Sequence, residues 1–227
     1  MNADKLTPTL PPTTKPTAPE SWLEALGQPA ADRDYRPGHE RMLALLHHFP
    51  AGQPKLRIRV AGTNGKGSTS NFVAAALQAL GYRVGLFTSP HISQFNERIR
   101  INGEPVADEL LAEKLSQMVP TALEIGASYF EVATALALRC FAEAAIEVEV
   151  FEAGVGARLD ATTALPSDLA LLTPIGLDHQ AWLGDTLIWQ ATRLSYIFQA
   201  AASQRLTCGI AINDINIGDL NGHRTIQ

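Results

Sequence analysis

The run Ala61-Gly62-Thr63-Asn64-Gly65-Lys66-Gly67-Ser68 holds residue types that could handle a phosphate. Its glycines let the backbone curl closely, Lys66 can reach β- and γ-phosphates, and Ser68 can sit at a helix start near a metal ion. A β-prone run, Leu56 to Val60, leads into it, and Phe72, Val73, Ala76, Leu77 and Leu80 follow at helical spacing. A helix opening there would aim unpaired N–H groups and a positive dipole at one spot, which favours an anion. The expected contacts to a triphosphate are Asn64, Gly65, Lys66, Gly67 and Ser68. The plain phosphate-loop pattern is imperfect, since Gly67 separates Lys66 from Ser68 and Ala61 stands where a glycine is usual.

The elements needed to position that loop are legible as an α/β pattern. Ser21 is suited to cap a helix beginning at Trp22, and a second helical pattern runs from His39 through Leu46. After the phosphate loop and its helix, Arg83 to Phe87 reads as a strand, giving a βαβ unit with a right-handed crossover to a parallel neighbour. Arg98 to Ile101 reads as a short strand ending at Asn102-Gly103, and Asp108 to Val119 as a helix. Tyr129 to Ala145 reads as a long helix, and Val148 to Phe151 and Leu169 to Leu172 as buried parallel strands. The expected fold class is a doubly wound α/β domain with a mostly parallel sheet.

Bulk properties narrow the function classes. The chain has 227 residues and a formal net charge of -5, with no clustered basic face to suggest nucleic acid. Its two cysteines, Cys140 and Cys208, lack metal-ligand spacing, and no apolar signal core lies between Met1 and Pro19. Glu131, Arg139 and Glu143 interrupt the longest apolar stretch, which argues against a membrane span. A reduced cytoplasmic protein, taken as a monomer, is the expectation. Residues 1–19, rich in Pro, Thr and Ala, read as a disordered leader.

Several segments together carry a family resemblance. Gly62-Thr63-Asn64-Gly65-Lys66-Gly67-Ser68 resembles the phosphate loop of folylpolyglutamate synthases, relatives of the Mur ligases. Thr88-Ser89-Pro90-His91 followed by Phe95-Asn96-Glu97-Arg98-Ile99-Arg100-Ile101-Asn102-Gly103 is similar to that family's Ω-loop and strand. Ser128-Tyr129-Phe130-Glu131, the run from Glu152 to Thr162, and Ile175 to Gly184 also resemble family segments, with Ala157 and Thr163 as departures. The likeness runs from about Trp22 to Thr186, and the chain is identified on it as similar to the dihydrofolate synthase and folylpolyglutamate synthase family.

That resemblance implies a Mur ligase-like central domain and an ATP-dependent acid–amino-acid ligase. Such an enzyme adds L-glutamate to dihydropteroate, or to a folate, through an acyl phosphate. By the same resemblance Ser89, Glu152 and His179 would hold Mg2+, and Lys66, Glu152 and His179 would be the catalytic group. Gly38, Ser128, Tyr129, Phe130, Glu131, Leu159, Asp160 and Ala161 would face the acid substrate. Read alone, Phe130 could equally be core and Asp160 a turn cap.

The sequence leaves the family pattern after Thr186. A lysine that the family carries as a carbamate, fifteen residues beyond the metal histidine, is matched by Leu194. Leu187 to Ser195 lacks the expected charges and resembles a frame-shifted reading, and only Ile197-Phe198-Gln199 resembles the pattern that follows. The domain expectation is therefore a partial ligase domain over 20–186, a divergent tail over 187–227, and no carboxy-terminal domain. Its alternative to an active ligase is an inactive nucleotide-binding remnant.

Overall fold

The computed structural model describes residues 18–26, 38–178, 180, 184–186 and 190. Apart from Gln190, the tail assigned to 187–227 lies outside the described residues, as do residues 1–17 of the leader. In chain order the elements are α1 (Pro19–Glu24), α2 (Glu40–His48), β1 (Leu56–Ala61), α3 (Lys66–Ala79), β2 (Val84–Phe87), β3 (Ile99–Ile101), β4 (Glu104–Pro105), α4 (Asp108–Ile125), α5 (Tyr129–Glu143), β5 (Val148–Glu152) and β6 (Leu169–Leu172). Short 3-10 turns cover Phe95–Arg98 and Ala161–Thr163.

The sheet order is β4-β3-β2-β5-β1-β6. β2, β5, β1 and β6 are mutually parallel, while β3 and β4 form an antiparallel edge. β1 and β2 belong to one βαβ unit but do not touch, because β5 lies between them and pairs with both. Strand periodicity sorts side chains between the two faces. Ile58, Val60, Val84, Leu86, Val148 and Val150 pack on one side with Ala74 of α3. Phe87, Ile99 and Phe151 meet α1, α2, α4 and α5 on the other.

Three local expectations change. Helix α1 starts at Pro19 rather than after Ser21, with proline in its first turn, where its missing N–H breaks no helical bond; Pro19 thus belongs to the helix and not to the leader. Helix α4 runs through Pro120 to Ile125, because Met118, Val119 and Ala122 are buried on either side of the proline and Gly126, at φ 72°, supplies the left-handed stop. Helix α3 faces the sheet with Ser70 and Ala74, which leaves Phe72 77% and Leu80 74% exposed. Helical spacing defines a stripe, but the small residues let the backbone approach and decide which stripe turns inward.

Candidate active site

The carboxyl end of β1 fixes the phosphate loop. Gly62 has φ 141°, and a Cβ there would lie 2.0 Å from Thr173 Oγ1, so the close crossing of β1 and the chain leaving β6 needs glycine. Thr63 and Asn64 both donate their backbone N–H to Pro174 O, at 2.9 and 3.2 Å. The Thr63 hydroxyl donates to Gly176 O at 3.0 Å and accepts from Gly176 N at 2.9 Å. The loop is thereby zipped to the segment after β6, and the amides of Thr63 and Asn64 are engaged there. Gly65, at φ 81°, caps α3 without a side-chain acceptor, so the first amides of the helix keep their anion-binding capacity. Lys66 Nζ folds back to donate to Thr63 O at 3.1 Å.

Glu152, the last residue of β5, is 4% exposed and stands beside this loop. A Cβ on Gly67 would lie 3.4 Å from Glu152 Oε2. The same oxygen accepts the Ser89 backbone N–H at 3.1 Å. Burial pushes the Glu152 carboxyl up from its ordinary value, opposed by the Ser89 N–H and by the charges of Lys66 and Arg98. Lys66, Gly67, Ser89 and Glu152 are thus brought to one edge. His179 lies outside the described residues, and among those described no group of three His, Cys, Asp or Glu side chains could hold a metal ion.

The segments expected against an acid substrate form a second cluster, and several of their polar groups are occupied in folding. Ser128 caps α5 through a reciprocal box: Glu131 N donates to Ser128 Oγ at 3.3 Å, and Ser128 N to Glu131 Oε2 at 2.7 Å. Arg41 Nε of α2 joins that carboxylate at 3.0 Å. Asp160 is 1% exposed and accepts from Gly154 N and Val155 N at 3.0 Å each, and from Thr162 N and Oγ1 at 2.9 and 2.6 Å. Its carboxylate therefore organises the loop it sits in. Gly154 is required because a Cβ would lie 2.8 Å from the Phe130 ring and 3.0 Å from Asp160 Oδ2. Thr163 donates its hydroxyl to Asp160 O, so His39 Nε2 is the donor in their 3.1 Å contact. That bond ties the Gly38-His39 turn to the loop holding Leu159, half-exposed, and Ala161, buried. Phe130 packs on Phe87 with ring centroids 5.9 Å apart, and Tyr129 meets Phe95 edge-on at 6.1 Å.

Glu97 and Arg98 stand in the sequence as part of a motif, with no separate role implied. In the structure Glu97 accepts the N–H groups of Ile92, Ser93 and Gln94 at 2.7, 3.0 and 3.0 Å, which folds the loop after Ser89 and holds its own pKa down. Arg98 Nε donates to His91 Nδ1 at 2.8 Å. The signal available was an adjacent charge pair between Phe95 and the β-branched entry to β3, where apolar residues would suffice for packing alone.

No family model matches the chain. It is 43% identical over 162 residues to the dihydrofolate synthase/folylpolyglutamate synthase of Bacillus subtilis, covering 67% of this chain and 37% of that protein. It is 41% identical over 158 residues to the folylpolyglutamate synthase of Lacticaseibacillus casei, covering 66% and 37%. Among solved structures, E. coli FolC in complex with DHPP and ADP matches with a TM-score of 0.73 at 33% identity, over 80% of this chain and 44% of that one. An FPGS–AMPPCP–folate complex matches at 0.73 and 34% identity, over 86% and 48%. The chain spans less than half the length of these relatives. Identity at this level, a shared mostly parallel α/β fold and the phosphate loop in its expected place together make the chain, over the part compared, a member of the dihydrofolate synthase and folylpolyglutamate synthase family.

Proposed function

We propose that this chain carries the ATP-binding part of a ligase that joins L-glutamate to dihydropteroate, and to folates, working as a cytoplasmic monomer. The observation that carries the reading is the meeting of Lys66, Gly67, Ser89 and Glu152 at the carboxyl ends of parallel strands, where open α/β sheets bind ligands. Amide formation needs a better leaving group than hydroxide. A carboxylate oxygen of the acid would attack the γ-phosphorus of ATP, releasing ADP and leaving an acyl phosphate. The glutamate amine would then attack the acyl carbon and expel phosphate.

The residues fit a divalent cation. Glu152 is a buried carboxylate whose hydrogen-bond donor is a neutral amide, and it makes no ion pair among the described residues. Oxygen donors from Ser89 and Glu152 suit Mg2+, with His179 proposed as the third ligand. When bound, the ion would supply positive charge to the phosphate being transferred. Lys66 has only a neutral carbonyl to leave when it swings from Thr63 O toward the γ-phosphate. The α3 amides would hold the phosphate oxygens in a fixed direction, which lowers the reorganisation needed at the transition state. Tyr129, Phe130 and Leu159 would offer apolar surface to the pterin-bearing acid.

A second reading, nucleotide binding without amide formation, is favoured by Leu194 at the family's lysine position. One assay separates the two: ATP hydrolysis coupled to amide formation, with dihydropteroate and glutamate omitted in turn, beside Lys66→Ala. The ligase reading expects turnover that needs both substrates and is lost in the variant. Nucleotide binding by a folded chain with no turnover would favour the second reading.

A further inference from the structure

Arg98 is an unusual arginine among those described. It is 8% exposed, yet it makes no ion pair with any described carboxylate. Its guanidinium lies 5.5 Å from the centroid of Tyr129 and 6.0 Å from that of Phe95, while Nε is tied to His91. Nη1 and Nη2 donate to no acceptor among the described residues, and neither is sealed from solvent. Its backbone carbonyl accepts from Thr88 N at 3.0 Å, next to Ser89, and its charge is felt at Glu152.

The other buried arginines differ: Arg57 has an ionic partner, whereas Arg59 makes no ion pair among the described residues and keeps an unpartnered Nε sealed inside the core. Arg57 pairs with Glu149 at 2.7 Å. Arg59 donates Nη2 to Leu165 O at 2.8 Å and stacks 5.2 Å from Phe151, wholly enclosed. Arg98 is held by His91, Phe95 and Tyr129 with Nη1 and Nη2 lacking an acceptor among the described residues and not sealed from solvent, whereas the unpartnered Nε of Arg59 is sealed. A desolvated guanidinium strongly favours an oxyanion, and its planar fork matches a carboxylate. It stands between Tyr129, at the start of α5, and the Ser89–Glu152 contact.

We propose that Arg98 is the cation that receives the carboxylate of the acid substrate, held for that purpose by His91, Phe95 and Tyr129. The assignment rests on the ligase reading above. It makes Arg98 a binding residue for the reacting group, and His91 a positioning residue that acts through it.

The test compares dihydropteroate with its carboxamide, which keeps the ring system and removes the negative charge. Calorimetric titration of the wild-type chain, with magnesium and AMPPCP present, should show the acid binding about tenfold tighter or more, the worth of one charge-assisted contact. Arg98→Met should bring the two ligands to about equal affinity while the ratio of AMPPCP to ADP affinity stays unchanged. Arg98→Lys, which keeps the charge and loses the fork, should retain part of the preference, and it decides the matter if the methionine variant fails to fold. An acid preference that survives in either variant at full strength overturns the proposal. So does loss of the AMPPCP-to-ADP ratio with acid preference intact, which would assign the cation to the γ-phosphate. A wild-type chain that binds both forms equally overturns it while leaving the ligase reading in place. One that binds AMPPCP but neither pterin ligand removes the ligase reading and the subsite together.

Discussion

The two ends of the parallel sheet treat charge in opposite ways. At the amino end Arg57 pairs with Glu149 and Lys55 with Glu147, each at 2.7 Å. At the carboxyl end Lys66 donates to a carbonyl, Arg98 to an imidazole, and Glu152 accepts an amide. A cavity of about 250 Å³ lies at the amino end, lined by Gly52, Lys55, Arg83, Phe141, Glu147 and Glu149 among others. Concavity alone would make it a candidate binding site, but its charges already satisfy one another. Charges left without ionic partners mark the end where a ligand has electrostatic work to do, and the phosphate loop is there.

The largest stability effect expected from that contrast comes from the paired end. Arg57→Met strands Glu149, 1% exposed, without its cation, and should cost about 3–5 kcal/mol in urea unfolding while nucleotide affinity is unchanged. Replacing both partners with apolar residues should recover much of the loss; equal damage from the double variant would mean that packing, rather than charge pairing, carries that end. Gly154→Ala should cost less, about 1–3 kcal/mol, because its Cβ meets Phe130 and Asp160, and it should also weaken pterin binding. Unchanged calorimetric affinity for the acid would separate Phe130 from the substrate. Glu152→Gln should leave stability within about 0.5 kcal/mol or improve it, since it removes a buried charge with no ionic partner. Its Mn2+ affinity with AMPPCP bound, read by electron paramagnetic resonance, should fall about tenfold, the worth of one charged ligand. Undiminished Mn2+ affinity would take Glu152 out of the metal site.

How far the sequence showed this division depended on the range of the interactions. Strands β5 and β6 were legible because parallel strands covered on both faces read as short apolar runs, Leu169–Leu172 matches its expected span, and β1 was legible as a β-prone run despite Arg57 and Arg59. The phosphate loop was legible because backbone curvature needs glycine at particular positions. Sheet order was not, since nothing local to β5 says that it inserts between β1 and β2. The sequence offers the Asp160 carboxylate as a turn cap or a substrate contact, and only the three-dimensional loop shows four donors converging on it. Arg98 lay in plain view within a family motif, yet its lack of an ionic partner is a property of space rather than of spacing. His179 lies outside the described residues, so its place beside Ser89 and Glu152 stays a proposal.

The smallest expected effect, and the one most specific to the contrast, is a difference in sign with pH. At the carboxyl end burial raises the Glu152 carboxyl above the ordinary glutamate value of 4.5, so the folded chain holds that proton more tightly than the unfolded chain. Its favourable contribution is then complete below pH 4.5 and is lost as pH rises through the folded value. At the amino end the Lys55 hydrogen bond, aided by the Arg83 N–H, lowers Glu147 below 4.5. That contribution is complete above pH 4.5 and is lost as pH falls through the folded value. Urea unfolding of the wild type, Glu152→Gln and Glu147→Gln from pH 3 to 7.5 isolates each group by subtraction. The wild-type advantage over Glu152→Gln should shrink as pH rises from 4.5, and the advantage over Glu147→Gln should shrink as pH falls below it. Adding magnesium and AMPPCP should flatten the first curve and leave the second alone, because only Glu152 would gain a cation. Two curves of the same sign would mean that Glu152 is already compensated within the protein, and the carboxyl end would then hold no charge in waiting.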